Sequence, residues 1–308
     1  MGSIKESIKN LLYVLLPEKQ YLKLKYKHCH GTKLNFDDPQ KFSEKLFWLK
    51  IYNGRYQKEF VQKCYDKYNA REYIAQKVGL EYLPQLYGIY NNADEIDFSQ
   101  LPKKYVLKIT QSCGYNIINN GQLQLSNDEI KNKLKKWLSE VNDINKVKRI
   151  YKEESYCFDG HARILCEEYL EDKSGAIAVD SAFFCFNGEA KCYDIVYDSV
   201  NLDSGAKSKT LFYRNIYDTN HKYMPMILGR PTDESLGCKR FENFDKMLEI
   251  AETLSAGIPF LRVDLYNLDG RIVVGELTFI PIGGTGKVSP EKYDYMWGSW
   301  LKLPDVKL

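Results

Sequence analysis

The sequence predicts an α+β fold, helices covering antiparallel sheets, and three features carry that prediction. Apolar residues in the first hundred positions recur at helical spacing. From Tyr105 onward, short β-rich runs arrive in pairs separated by turn residues. No repeat, Gly/Ser linker or low-complexity stretch interrupts the 308 residues, and 44% hydrophobic with 14% aromatic residues supplies a sizeable core.

The elements follow in order. Ile4, Ile8, Leu11, Leu12 and Leu15 have helical spacing and Lys19, Lys23, Lys25 and Lys27 come soon after. This predicts a helix on the protein's own core, with attachment to an anionic membrane surface as the alternative. The apolar run 11–16 is too short for a membrane span or a signal-peptide core, so a cytoplasmic protein is expected. Helices are predicted over 39–52, around Phe42, Leu46 and Leu49, and over 58–78, closed by Gly79. The run 105–109 reads as a strand, followed by a polar turn and a helix over 127–141. Strands are expected at 163–168, 182–186 and 191–196, the last two joined by Asn187-Gly188, a hairpin turn pair. A helix over 241–255 ends at Gly257-Ile258-Pro259, and strands 260–266 and 272–279 flank a turn at 267–270.

Composition excludes some functions. The 44 basic and 41 acidic side chains nearly cancel to +3, which argues against a nucleic-acid partner. The eight cysteines form no CxxC pair, which fits reduced thiols. His28-Cys29-His30 lacks a second cluster to complete a zinc site.

The strongest chemical signal is the pair of strands around Asp269-Gly270. Alternation puts Arg262, Asp264 and Tyr266 on one face, and Val274, Glu276 and Thr278 together on the returning strand. Asp264 and Glu276 stand equally far from Gly270, so a loop of three or five residues sets them opposite each other, about 5 Å apart at Cβ, whereas an even-length loop spoils the match. Two carboxylates so close repel unless a divalent cation lies between them, with phosphate oxygens and water completing the shell as Mg2+ prefers. Arg262 can then pair with a phosphate. The alternative is a solvated face with an ordinary ion pair.

Lys108 lies inside an apolar strand, where its ammonium needs an anion or a route to water. The turn after it, 110–116, offers backbone N–H groups and hydroxyls that can cover a phosphate tail. The strand 164–170 offers apolar walls and a backbone edge for a planar base, with plain edge-strand packing as the alternative. Gly283-Gly284-Thr285-Gly286-Lys287 mimics a phosphate loop, but Pro281 replaces its first glycine and Val288 its hydroxyl residue, so that reading is set aside.

Taken in order, Asp66-Lys67, Gly79, Pro84, Val106-Leu107-Lys108, Glu167-Glu168-Tyr169-Leu170, Arg262-Val-Asp264, Asp269-Gly270 and Glu276-x-Thr278 resemble the ATP-grasp superfamily. The strings Phe42-Ser-Glu-Lys-Leu-Phe-Trp-Leu-Lys50, Asp66-Lys-Tyr-Asn-Ala-Arg-Glu-Tyr73, Phe183-Phe-Cys-Phe-Asn-Gly188, Gly275-Glu-Leu-Thr-Phe279 and Tyr293-Asp-Tyr295 narrow this to the TupA-like branch, associated with teichuronopeptide and surface-polysaccharide synthesis. The resemblance spans roughly residues 35–304.

That resemblance implies an ATP-grasp fold of two α+β subdomains clamping ATP behind a short helical N-terminal region. The expected division is 1–60 helical region, 61–100 start of the core, 101–172 small lid subdomain and 173–308 large subdomain with the metal hairpin. Lys67 and Lys108 would meet the phosphates beneath the loop of Ser112 and Gly114. Glu167, Glu168, Tyr169 and Leu170 would read adenine, with Glu171 or Asp172 near the ribose. Asp264, Glu276 and Thr278 would hold Mg2+, and Arg262 with Lys108 would stabilise the phosphoryl group in flight. Lys207, Arg214, Gly283 and Gly284 are acceptor-site candidates.

The implied reaction is ATP-dependent ligation of a carboxylate, on a sugar acid or glycan, to an amino acid or amino-alcohol amine. Contact with the inner membrane face or with polysaccharide-assembly enzymes belongs to the same expectation. In relatives the loop after the lysine strand is glycine-rich, whereas here Gln111, Ser112 and Tyr115 stand in it, so Tyr115 and Ser112 are expected to stiffen it. The rival readings are a sugar kinase on this fold, a metal-dependent glycosyltransferase and a non-catalytic nucleotide-binding scaffold.

Overall fold

The computed structural model describes residues 16–173, 180–197 and 213–308, so the helix expected around Ile4 to Leu15 lies outside the described residues. The described residues fall into two compact units, one within 1–24 and 50–171 and the other within 25–49 and 172–308.

Helix α1 spans Glu18–His30 and α2 spans Phe42–Tyr56. The single helix expected over 58–78 is two, α3 (Lys58–Tyr65) and α4 (Ala70–Lys77). Asp66 causes the break: its backbone turns extended, and its carboxylate accepts the N–H groups of Tyr68 and Asn69, both at 2.9 Å. A side chain that satisfies backbone donors locally competes with helix continuation. Gly79, at φ 121°, follows the end of α4.

Strands β1 (Leu86–Tyr90), β2 (Tyr105–Ile109) and β3 (Asn116–Asn119) come next, then helices α5 (Asn127–Asn142) and α6 (Ile144–Tyr151), then β4 (Ile164–Glu167). They form an antiparallel sheet in the order β1-β4-β2-β3. A capping box between Ser126 and Glu129 starts α5, which buries Ile130, Leu134 and Val141.

The other unit is built on a six-stranded sheet, order β11-β10-β5-β6-β7-β8. Strands β5 (Asp180–Phe186) and β6 (Glu189–Tyr197) join through Asn187-Gly188, both at positive φ as a two-residue hairpin turn of primed type requires. Then come β7 (Tyr213–Asp218), β8 (Tyr223–Met224), β9 (Ile227–Leu228), helix α7 (Phe244–Ser255), β10 (Phe260–Leu268) and β11 (Arg271–Thr278). A short strand β12 (Val288–Ser289) pairs with β9, and helix α8 (Glu291–Trp300) ends the order.

Helix α7 buries Phe244, Met247, Ile250, Ala251 and Leu254. Phe42, Phe186, Phe260 and Trp297 interlock with ring centroids 5.0–5.7 Å apart. Each such buried ring contributes about 1.5–3 kcal/mol, which makes this sheet a firm platform for the charged face it carries. Among the described residues no helix is long and apolar enough to cross a membrane.

Candidate functional site

Strands β10 and β11 meet in a two-residue turn, with Leu268 opposite Arg271 and Asp269 and Gly270 both at positive φ. A two-residue loop would pair Asp264 with Gly275 and send Glu276 to the core face. The register instead shifts at Gly275, so Asp264 stands directly opposite Glu276. The bulge also corrects the expected grouping on β11: Val274 pairs with Leu265 in the core, and only Glu276 and Thr278 share the face of Asp264 and Arg262. Gly275 fits because any Cβ there would lie 2.6 Å from the Tyr266 ring.

Arg262 holds Asp264 in a two-pronged grip, Nε to Oδ1 at 2.7 Å and Nη2 to Oδ2 at 2.6 Å, and reaches Glu276 Oε2 at 3.7 Å. Burial pushes Asp264 up to about 6, with Glu276 and Asp194 adding to the rise and Arg262 opposing it. Burial alone would weaken the Arg262 charge, but the carboxylates of Asp264, Asp194 and Glu276 more than offset this. The face continues across the sheet to Asp194 on β6, which takes the Ala182 N–H at 3.0 Å and lies 2.9 Å from Arg214 Nε. That Arg214 contact is an ion pair out of hydrogen-bond alignment. Arg214 also donates to the Leu228 carbonyl at 3.0 Å.

These donors suit Mg2+ delivered with a phosphate chain. Among the described residues no group of three or more His, Cys, Asp or Glu side chains stands ready to hold a metal alone. Two opposed carboxylates, with the Thr278 hydroxyl opposite Arg262, leave the remaining positions to phosphate and water oxygens.

In the other unit, Lys108 donates to Glu167 Oε1, and Arg71 lies 3.8 Å from Glu167 Oε2. Glu167 is buried, so its carboxylate is neutralised from both sides. Glu168 accepts the Gln85 N–H at 3.0 Å and returns its own N–H to the Gln85 carbonyl at 2.9 Å. Ladder pairing of β4 stops at Glu167, and Tyr169 and Leu170 follow half-buried. Glu171 pairs with Lys104 at 2.7 Å, and Asp172 is half-buried at the start of the second unit.

The loop after β2 is tied to the α3–α4 break. Lys67 donates its N–H to the Thr110 carbonyl at 2.9 Å and its ammonium to the Ser112 carbonyl. Gln111, fully buried, donates to Asp66 at 3.2 Å and to Asp159 at 2.6 Å. The Ser112 hydroxyl donates to the Ile109 carbonyl at 2.9 Å, and Gly114 takes φ 80°. Tyr115 stacks on Trp137 at 5.0 Å and donates to Glu140 at 2.8 Å.

Residues 44–302 match the family model described as TupA-like ATPgrasp. The chain belongs to the TupA-like ATP-grasp family. Its fold is the α+β ATP-grasp fold. A comparison with curated proteins gives no match. Similar solved structures include D-alanine--D-alanine ligase from Bacillus anthracis, 15% identical with a TM-score of 0.40, covering 71% of this chain and 57% of that one. D-cycloserine synthetase DcsG is 13% identical with a TM-score of 0.43, over 79% of this chain and 72% of that one. VanG D-Ala:D-Ser ligase from Enterococcus faecalis is 16% identical with a TM-score of 0.39, over 72% and 54%. This chain thus spans little more than half the length of the first and third.

In this ATP-grasp chain Arg262, Asp264, Glu276 and Thr278 come together on one sheet face, as do Lys108 and Glu167 on another. Gly283 and Gly284, both left-handed, lie past β11 in a turn whose Gly284 carbonyl takes the His30 Nε2 proton at 3.0 Å. Lys207 falls outside the described residues. Two charged residues escaped sequence reasoning. Asp194 carried a signal, a carboxylate in a buried apolar strand; Arg71 stood in a family string with no role assigned to it, because its partner is 96 positions away.

Proposed function

We propose that this chain is an ATP-dependent carboxylate–amine ligase. One carboxylate takes the γ-phosphoryl group of Mg-ATP to give an acyl phosphate, and an amine then displaces phosphate to form an amide. The observation that supports this best is the direct opposition of Asp264 and Glu276, with Arg262 forked onto Asp264 and 3.7 Å from Glu276, in a chain of the ATP-grasp family. Such a face neutralises charge on a transferring phosphoryl group by positioned cations, which is most of what phosphoryl transfer asks of a protein.

On this reading Asp264 and Glu276, with Thr278, would hold Mg2+, which would supply positive charge to a bound phosphate chain. Arg262 moves part of its contact from Asp264 to the phosphoryl oxygens. Lys67 and Lys108 serve the phosphate chain, and Lys108 releases Glu167 to do so. Glu167 to Leu170 present the edge that reads the base, with Glu171 and Asp172 toward the ribose. Arg214, ordered by Asp194, supplies a cation for an anionic acceptor. The acceptor is a sugar-acid carboxylate of a surface glycan, the partner an amino acid or amino-alcohol, and the location the cytoplasm, at or near the inner membrane face.

Purified protein with Mg-ATP and a panel of uronic acids plus amines should release ADP, and hydroxylamine should trap a hydroxamate. Lys108→Gln should weaken ATP in a thermal-shift titration, from a lower starting melting point because buried Glu167 keeps only Arg71. ADP release with a stable phosphate ester and no hydroxamate would assign a kinase instead, and stabilisation by UDP-sugars but not ATP a glycosyltransferase.

A further inference from the structure

The hairpin's own unit holds a cavity of about 210 Å3, lined by Tyr26, His30, Lys41, Lys287, Glu291 and Asp294 among others, none of them on β10 or β11. It unites parts of the sequence that the nucleotide site leaves unused: Ser43 from the first family string, Asp294 from the last, and the Gly283–Lys287 loop set aside as a phosphate binder. A hydrogen-bond chain orders two of its lining residues, Tyr26 and Asp294. Tyr26 donates to Ser43 Oγ at 2.9 Å, and Ser43 gives Asp294 its hydroxyl at 2.6 Å and its N–H at 2.8 Å.

The charges in this cavity do not match one another. Lys41 and Glu291 form a pair at 2.5 Å and are accounted for. Asp294, 6% exposed, has only its Ser43 donors, and among the described residues no cation lies within ion-pair distance of it. Lys287, exposed in the same lining, has no carboxylate within that distance among the described residues. His30 commits Nε2–H to the Gly284 carbonyl, so its Nδ1 carries a lone pair, and burial lowers its affinity for a second proton. A buried carboxylate that feels Lys41 and His30 but has no cation in direct contact, and a solvent-facing ammonium, therefore share a cavity.

We propose that this cavity binds a free α-amino acid as a zwitterion, its ammonium toward Asp294 and its carboxylate toward Lys287. A simple anion would satisfy Lys287 and leave Asp294 facing a like charge; a simple amine would do the reverse. The volume corresponds to roughly seven waters, hence a ligand of roughly seven to ten heavy atoms. Its role as the amine substrate of amide formation rests on the ligase reading above; its existence as an amino-acid site does not.

The test is calorimetric titration of the full chain with each of the twenty proteinogenic amino acids, without nucleotide, beside a separate Mg-ATP titration. At least one amino acid should bind at millimolar concentration or below. Its affinity should fall roughly tenfold or more in Lys287→Gln, and likewise in Asp294→Asn, the loss expected for one charge-assisted contact. Its deaminated and decarboxylated analogues should bind as poorly. Lys287 is exposed, so its variant tests the idea even if Asp294→Asn unfolds. Failure of every amino acid in a protein that binds Mg-ATP normally would overturn this site and leave the ligase reading standing. Binding unchanged in Lys287→Gln, or equal binding of the deaminated analogue, would overturn it too. Amino-acid binding with these losses but no ATP binding would support the site and refute its role in ligation.

Discussion

Removing the Asp264 carboxylate tests the charged face most directly. In Asp264→Ala, Arg262 keeps its charge at 15% side-chain exposure but loses both short contacts, at 2.7 and 2.6 Å. Breaking one partner of a buried pair costs about 3–5 kcal/mol, because the remaining charge stays desolvated. Glu276 stands 3.7 Å from the same guanidinium and can swing closer, and at 44% exposure it gives back only a surface-like amount, about 0.5–1 kcal/mol. The expected loss is therefore about 2–4 kcal/mol, read as a shift of the urea midpoint at constant slope. Arg262→Ala with Asp264→Ala should destabilise less than the sum of the singles, since the double variant strands no charge. A midpoint for Asp264→Ala within about 0.5 kcal/mol of the parent would show that the fork is solvated, and the phosphate role of Arg262 would lose its physical basis.

Three further predictions follow from other parts of the chain. Lys50 is fully buried against Glu153 at 2.9 Å and Glu154, so Lys50→Met should destabilise its unit by about 3–5 kcal/mol in urea; a neutral result would mean that the pair adds nothing over an apolar side chain. Gly298 lies inside α8 where a Cβ would sit 2.0 Å from the Gln40 carbonyl and 2.9 Å from the Phe42 nitrogen. Gly298→Ala, which in an exposed helix gains about 1 kcal/mol, should here cost more than about 1–3 kcal/mol in the same assay. Burial lowers His30 below its ordinary 6.5, so the unfolded chain binds the proton first and stability falls as pH drops through 6.5 toward the folded value. Asp294, raised by burial, contributes the opposite slope from 3.8 upward. The His30 contribution should therefore show as the pH falls below 6.5, as a midpoint loss that His30→Gln reduces.

How much of this was readable from the residues depends on how local the cause is. The hairpin strands, the Asn187-Gly188 turn and the side chains around Asp264 follow from period-2 alternation and turn chemistry, both local. The pairing of Asp264 with Glu276 was expected from an odd-length loop, but the loop has two residues and the opposition comes from the bulge at Gly275. A lone glycine in a strand is the signal for such a bulge, and it was present. The break between α3 and α4 was missed because the apolar spacing runs straight through it, while the Asp66 carboxylate that stops the helix acts through backbone donors. Strand β3 reads as turn by its asparagines and is set by pairing with β2. Arg71 and the hydrogen-bond chain to Asp294 depend on partners 96 and 251 positions distant, which no local pattern encodes.

The two-pronged grip of Arg262 has one more implication. If the hairpin holds magnesium, a bare divalent ion at Asp264 would have to displace the guanidinium toward the more exposed Glu276, a poorer partner, and would gain little by entering. A polyphosphate carrying the same ion would offer the displaced arginine a fresh anion at the same moment. On the proposed reading the hairpin admits magnesium only as cargo, and resting protein is guarded against idle loading from the cellular pool.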